Sequence, residues 1–183
     1  MSSVIEIDAD IEIRKMLKRR WDSSPVQHYS PNADEPLLFW GGEFSNFVGP
    51  SMLMIHPWTG QPEEYLTVEH YFQANKAIDL HSHESVRQAP DPGTAKFIGN
   101  SIKLRGDWEQ VKYSVMLEAL WVKFTASDAW ERVLDSTGER YIAEESPTDA
   151  IWGIYDADAD DYTGMNLLGL ALMEVRGWSR DRG

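Results

Sequence analysis

The stretch TVEHYFQANK, from Thr67 to Lys76, places an acid, an imidazole, two aromatic rings, an amide and an amine within ten residues. Thr67 is a preferred residue type for a helix N-cap, which predicts a helix reaching about Leu80. Side chains three and four residues apart share one helix face, and this spacing defines a stripe of Glu69, Phe72, Gln73 and Lys76. The residues alone leave open whether this stripe is a solvated face or lines a ligand site.

The bulk composition predicts a globular protein without disulfides. The chain has 183 residues, 42% of them hydrophobic, with eight tryptophans and no cysteine. This length suits one domain with a sizeable core, and the lack of thiols excludes disulfides, thiolate metal ligands and a cysteine nucleophile. The N-terminus is acidic where a signal peptide would be basic, and no apolar run has the length of a membrane span. We therefore expect a cytoplasmic protein with no membrane partner.

The charge balance disfavours one class of protein. The formal net charge is −13 and the isoelectric point is about 4.7. Such a chain repels polyphosphate at long range, so a general nucleic-acid-binding protein is disfavoured. A locally basic active-site mouth would still allow a modified nucleic acid as substrate.

Turn signals and apolar periodicity divide the chain into an extension and a body. Residues 1–35 are expected to form an N-terminal extension, either helical or flexible, and residues 36–183 a single domain. The expected strands lie at 37–42, 51–56 and 141–144. The expected helices lie at 67–80, 92–100, 108–124, 128–135 and 164–176. These elements predict an α+β fold that is mainly α-helical.

Two patterns resemble metal sites but fail on spacing. The acidic loop at 156–161 lacks the glycine and the final glutamate of a calcium-binding loop, which favours a solvated loop. His81 and His83 have no third ligand nearby in sequence, so we expect them in an exposed loop. We predict no metal and no cofactor.

Five short elements follow one another along the chain: Phe44-Ser45-Asn46-Phe47; Thr67–Ala74 with Lys76; Arg105 with Asp107-Trp108; Glu145-Ser146-Pro147 with Asp149 and Trp152-Gly153; and Gly164 with Asn166–Gly169. Together they resemble the NADAR family, also called YbiA-like, over about Phe39 to Trp178. The resemblance implies a YbiA-like domain and an N-glycosidase. Some members act on phosphorylated riboflavin-pathway intermediates, and others remove ADP-ribose from guanine in nucleic acid.

The resemblance implies three catalytic residues for cleavage at ribose C1′. Glu69 would act as general acid or base, or stabilise the cationic sugar of the transition state. Lys76 would either attack C1′ and form an imine or act only as a charge that binds phosphate or ribose oxygens. Asp149 would orient a ribose hydroxyl or a water, and the alternative is a turn residue.

The same resemblance implies a set of substrate-binding residues, some of them with a structural alternative. The expected set is Asn46, Phe47, Phe72, Gln73, Arg105, Trp108, Trp152, Gly153 and Asn166. Trp108 would stack on the base, or belong to the core on the apolar stripe of its helix. Asn46 would read a base edge or the ribose, or bond to local backbone. Asn166 would bind phosphate at a helix N-terminus.

Arg105 from this set, together with Lys123, has a pair of alternatives of its own. Arg105 and Lys123 would bind phosphate or form surface ion pairs.

Two function classes follow from these residues. The first is an enzyme that acts on a small ribosyl phosphate or ADP-ribosyl substrate, which includes ADP-ribosylated nucleic acid. The alternative is a non-catalytic module that binds ADP-ribose or NAD. An acid beside a lysine favours catalysis, because binding alone does not need that pair. The sequence leaves the oligomeric state open.

Overall fold

The computed structural model describes residues 36–156 and 162–180. The predicted N-terminal extension at 1–35 and most of the acidic loop lie outside these ranges. Six α-helices occur in the described part of the chain: α1 Val68–Ala74, α2 Leu80–Arg87, α3 Pro92–Gly99, α4 Trp108–Thr125, α5 Asp128–Asp135 and α6 Leu167–Arg180. The prediction of a mainly helical α+β fold is confirmed.

Short strands form three two-stranded sheets within the same ranges. The strands are β1 Leu37–Phe39, β2 Met52–Ile55, β3 Pro62–Tyr65, β4 Ile142–Glu144, β5 Tyr155–Asp156 and β6 Tyr162–Thr163. β1 and β4 pair in parallel, whereas the β2–β3 and β5–β6 pairs are antiparallel. In the first pair, Phe39 lies opposite Glu144. This parallel pair places the first strand of the described chain beside a segment that follows it far along the sequence.

Helix α1 is the centre of the fold, and every one of its residues is buried. It packs against α2, α3 and α4, while α4 packs in turn against α5 and α6. Its N-cap is Thr67, whose hydroxyl accepts a hydrogen bond from the backbone N–H of His70. The polar stripe predicted on this helix is therefore enclosed by other helices and is not a solvated face.

The prediction that the first helix continues to about Leu80 is wrong. α1 ends at Ala74, and the chain then pairs with residues 103–105. The N–H of Ile78 donates to the carbonyl of Lys103, and the N–H of Arg105 donates to the carbonyl of Lys76. These tertiary bonds replace the helical ladder, and Lys76 lies just beyond the helix.

One helix was not predicted at all. α2 covers His81 and His83, where a loop was predicted, and it starts at the N-cap Asp79, whose carboxylate accepts the N–H of Ser82. In the described ranges, none of the helices has the length and apolarity that a membrane span requires.

Candidate active site

Glu69 lies in the first turn of α1 with its carboxyl almost fully enclosed. Its side chain is 4% exposed, and its Oε1 accepts a 2.8 Å hydrogen bond from Nε2 of Gln73. The N–H of Glu69 donates to the carbonyl of Asn46 at 3.0 Å, so the loop of residues 45–48 is fastened to the helix start. Burial raises the pKa of Glu69, and this outweighs the hydrogen bond from Gln73 and the charges of Lys96 and Lys76. A buried carboxyl of this kind holds a proton at higher pH than an ordinary glutamic acid.

Lys76 faces the same space from the other end of α1. Its Nζ donates to Oδ1 of Asn100 at 3.2 Å and lies 5.5 Å from the centroid of the Phe72 ring. Burial lowers the pKa of Lys76, whereas the charge of Glu69 acts in the opposite direction. A neutral amine is therefore present at lower pH than for a solvated lysine, as a nucleophilic role requires.

Asp149 approaches from the turn that follows β4. Its Oδ1 accepts hydrogen bonds from the N–H groups of Ile151 and Trp152, both at 2.9 Å, and its N–H donates to the hydroxyl of Ser146. One carboxylate oxygen thus shapes the turn, which is the structural alternative. The charge of Asp149 also acts on Glu69 and Lys76, so the turn is close to both.

Two charged residues of this region were not predicted from the sequence. Glu144 ends β4 and is half-buried, and burial together with the charge of Asp149 raises its pKa to about 7. Lys96, on α3, is exposed, and its charge acts on Glu69, Lys76 and Glu144. The period-two pattern of β4 places Glu144 on the side of Ile142, which is a signal that sequence reasoning could have used.

The aromatic residues predicted to bind substrate fall into two groups. Phe72 contacts Trp108 on one side and Trp152 on the other, with edge-on rings whose centroids are 5.0 and 5.1 Å apart. Trp108 is only 6% exposed, so its indole belongs largely to the core. Phe47 is 39% exposed, and the Lys96 ammonium lies 5.8 Å from its ring centroid. Phe47 therefore offers the more accessible flat surface.

Asn46 and Gln73 each carry a buried oxygen without a partner. Asn46 Oδ1 and Gln73 Oε1 accept no hydrogen bond from any residue that the structure describes. A buried acceptor without a donor is costly, and such groups are often completed by a ligand or water. Asn46 Oδ1 is therefore a suitable acceptor for a substrate N–H or O–H.

Asn166 and Gly153 stabilise the backbone around β4 and the turn that follows it. Asn166 Nδ2 donates to the carbonyl of Ile142 and the hydroxyl of Tyr141, both at 2.8 Å, while its Oδ1 accepts the N–H of Glu144. A Cβ at Gly153 would collide with the carbonyl of Glu144. These residues position Glu144 and the Asp149 turn, and the structure does not aim them at a ligand.

The start of α6 does not offer free N–H groups to a phosphate. The N–H groups of Met165, Asn166, Leu167 and Leu168 donate to backbone carbonyls of residues 150–153. These donors are already used, which favours a structural role for Asn166 over the predicted contact with phosphate.

The remaining two predicted phosphate ligands also have other partners. Arg105 forms an ion pair with Asp107 through Nε at 2.5 Å and through Nη2 at 2.9 Å. Lys123 is fully buried, and its Nζ donates to the carbonyl of Ser45 at 2.8 Å. Arg105 thus matches the surface ion-pair alternative, and Lys123 supports the loop that carries Asn46.

His83 is completely buried, so the expected exposed loop is wrong for this residue. His56, His83 and Glu84 bring possible ligand atoms within 4.8 Å of one another. His56 Nδ1, however, accepts the N–H groups of Trp58 and Thr59, which leaves the ring proton on Nε2, where it is donated to Glu84. A metal on that nitrogen would need the imidazolate, and the trio is better described as a hydrogen-bonded network.

The charged groups around the end of α1 can support both proton transfer and nucleophilic attack. Carboxyls of raised pKa and an amine of lowered pKa lie near aromatic rings and an unpartnered amide oxygen. Shifts of opposite sign in one place are typical of acid–base and covalent catalysis.

Comparison with known proteins identifies the family of the chain. The sequence model of the NADAR domain matches residues 38–178. The N-glycosidase YbiA of Escherichia coli (strain K12) is 36% identical over 137 residues, which cover 74% of this chain and 79% of that protein. The chloroplastic riboflavin biosynthesis protein PYRR of Zea mays is 31% identical over 147 residues, or 74% of this chain and 23% of that protein. The NMR structure of E. coli YbiA superposes with a TM-score of 0.68 and 30% identity, covering 87% of this chain and 95% of that one.

Proposed function

The chain belongs to the NADAR family, and from this premise we propose that it is an N-glycosidase that hydrolyses the bond between ribose C1′ and a nitrogen of a flat heterocycle. The observation that carries the proposal is that the charges of Lys76 and Asp149 act on the buried carboxyl of Glu69, and that those of Glu69 and Asp149 act on Lys76. Glycosidic cleavage needs an acid for the leaving group and a negative charge near the cationic sugar. Two carboxyls beside an amine meet both requirements.

In the covalent route, neutral Lys76 attacks C1′ while the C1′–N bond breaks. The electron pair of that bond goes to the leaving nitrogen, which receives the proton of the Glu69 carboxylic acid. Ionised Glu69 then takes a proton from the nitrogen of the resulting ribosylammonium and delivers it to the ring oxygen as the C1′–O bond breaks, which gives a protonated imine. Water adds to the imine carbon, and release of the sugar aldehyde regenerates the Lys76 amine.

In the alternative route, water attacks C1′ directly and Lys76 acts only through its charge. Asp149 or ionised Glu69 would then accept the proton of the attacking water. Both routes give the free base and the sugar, so the products do not distinguish them.

For the substrate, we favour a phosphorylated ribosyl intermediate of the riboflavin pathway over ADP-ribosylated guanine. The name of the maize relative refers to riboflavin biosynthesis, although the chain spans only 23% of that protein. The formal net charge of −13 also disfavours a long polyanion. Guanine-linked ADP-ribose remains the second substrate to test, because it contains the same type of bond.

The test incubates the full chain separately with a ribosylaminopyrimidine phosphate and with a guanine-ADP-ribosylated oligonucleotide. Release of the base, followed by liquid chromatography and mass spectrometry, is expected for the first compound at the higher kcat/KM. Tight binding of either compound without release would instead favour a non-catalytic ADP-ribose or NAD module.

A further inference from the structure

The side chains predicted to bind phosphate already have other partners. A phosphate group on the substrate would therefore need a different cation. Arg105 is paired with Asp107, and Lys123 is bonded to Ser45 inside the core. Lys96 forms no ion pair with any residue in the described ranges, and its ammonium lies 5.8 Å from the centroid of the Phe47 ring. Its ammonium is therefore available to a ligand.

The packing of α3 on α1 fixes where Lys96 lies. A Cβ at Gly99 would overlap the side-chain amide of Gln73, so the two helices approach closely at this point. One residue further on, Asn100 accepts the hydrogen bond from Lys76. Lys96 lies about one turn before Asn100, and Glu69 lies about one turn before Gln73 on α1.

The charge effects agree with this arrangement of the two helices. Lys96 lowers the pKa of Glu69 against the larger effect of burial, and it acts on Glu69 more strongly than Lys76 does. It likewise opposes the burial that raises the pKa of Glu144. Lys96 thus lies near the carboxyls of Glu69 and Glu144, on the side that carries the exposed Phe47 ring.

We propose that Lys96 binds the phosphoryl group on O5′ of the ribosyl substrate and so selects phosphorylated over unphosphorylated ribose. This inference rests on the proposed function. The 5′-phosphate is several bonds from C1′, so a ribose with C1′ between Glu69 and Lys76 would extend its phosphate away from the carboxyls. The flexible stem of an exposed lysine can follow that group, and its ammonium supplies three donors.

The test measures binding of ribitol 5-phosphate and of ribitol by isothermal titration calorimetry. Neither compound has a carbonyl, so imine formation at Lys76 cannot contribute. The wild type is expected to bind the phosphorylated compound more tightly. Lys96→Met should weaken that binding roughly tenfold to a hundredfold, as expected for loss of a charged hydrogen bond. Lys96→Arg should retain part of the affinity, because the charge remains.

The matched control is Lys103→Met, which removes another exposed lysine from the next turn of chain. It should leave both affinities unchanged. A Lys96→Met protein that keeps the wild-type preference, or a wild type with no preference, would overturn the proposal. A shifted pH profile with unchanged phosphate affinity would also overturn it, since Lys96 would then act only on Glu69, Lys76 and Glu144.

ADP-ribitol, which is ADP-ribose reduced at its free anomeric carbon, is a second source of the same phosphoryl chemistry and forms another arm of the experiment without a carbonyl. A loss for ribitol 5-phosphate alone supports a site for a phosphate monoester, and a loss for both ligands supports a site that also takes the diphosphate. Because these are binding measurements, the Lys96 inference can hold even if no base is released, and it can fail in an active enzyme.

Discussion

The backbone N–H of Glu69 donates a 3.0 Å hydrogen bond to the carbonyl of Asn46. This bond joins the loop of residues 45–48 to the first turn of α1, so two motifs that are distant in sequence lie next to each other in the structure. The unpartnered Oδ1 of Asn46 is consequently held near the buried carboxyl of Glu69. The acid and the amide that is proposed to contact the substrate are thus positioned by the same contact.

Glu69→Gln is expected to lower kcat by roughly 10² to 10⁴ and to change substrate affinity by only a few-fold, because it removes the acid and keeps the shape. The measurement is steady-state kinetics combined with direct binding. Glu109→Gln, on the exposed first turn of α4, is the matched control and should be silent. Equal losses in rate and affinity would show that Glu69 only binds substrate.

Lys76 is expected to be trapped by borohydride during turnover of a ribosyl substrate. Burial lowers the pKa of Lys76, so neutral amine is available for imine formation. Mass spectrometry of the digested protein should find the sugar adduct on Lys76, and Lys96→Arg should still form it. An active enzyme with no adduct would favour attack by water, and an adduct on Lys96 in place of Lys76 would contradict the assignment of Lys76 as the nucleophile.

The helix predicted at 67–80 shows how far local patterns can be used. The N-cap Thr67 predicts the start correctly, because capping depends on neighbours in sequence. The end at Ala74 depends on backbone bonds to residues 103–105, which no local pattern contains. α2 was missed for a related reason: its sequence, LHSHESVR, has few apolar residues, and its buried His83 is stabilised by the distant Tyr65 hydroxyl at 2.8 Å.

The site was predicted in the same partial way. Glu69, Lys76 and Asp149 could be named from motifs, and the described structure brings their charges together. Lys96 could not, because an exposed lysine becomes notable only through its tertiary neighbours. Glu144 was missed although the alternation of β4 places it on the side of Ile142. The structural contacts of Asn166 could not be predicted either, because its partners, Tyr141 and Ile142, come from β4 and the residue before it.

Glu144→Gln is expected to remove a pH dependence of stability between about pH 4.5 and 7. The folded pKa is raised to about 7 from 4.5, so in this window the folded carboxyl keeps a proton that the unfolded chain releases. Wild-type stability from Glu144 is therefore full below pH 4.5 and falls as pH rises to 7. Urea unfolding at pH 5 and 7.5 measures the difference between wild type and variant.

Other groups titrate in that window, and the comparison of wild type with variant cancels them. His83, whose pKa burial lowers to about 4, makes stability rise with pH over the same range in both proteins. An identical pH slope in wild type and Glu144→Gln would contradict the raised pKa of Glu144.

Phe47→Ala is expected to weaken base binding with little loss of stability, whereas Trp108→Ala is expected mainly to lower stability. Phe47 is 39% exposed, so its loss should weaken base binding by about 1–3 kcal/mol, the range for base–aromatic stacking, with little change in Tm. Trp108 is 6% exposed, so its loss should cost about 3–5 kcal/mol of stability. Trp108→Phe, which keeps an aromatic ring in the core, separates packing from binding. A large loss of base affinity in a stable Trp108→Phe protein would restore the stacking role.

Lys123→Met is expected to flatten the rise of stability with pH above neutrality. Burial lowers the pKa of Lys123 from 10.5 to about 7, so between these values the unfolded chain holds a proton that the folded protein has released. Unfolding therefore takes up a proton, and wild-type stability increases from pH 7 towards 9. Methionine fills similar space without a titrating group, although it leaves the carbonyl of Ser45 without its 2.8 Å donor. Urea unfolding at both pH values should show a smaller rise in the variant than in wild type, whereas equal rises would mean that Lys123 titrates as a solvated lysine does.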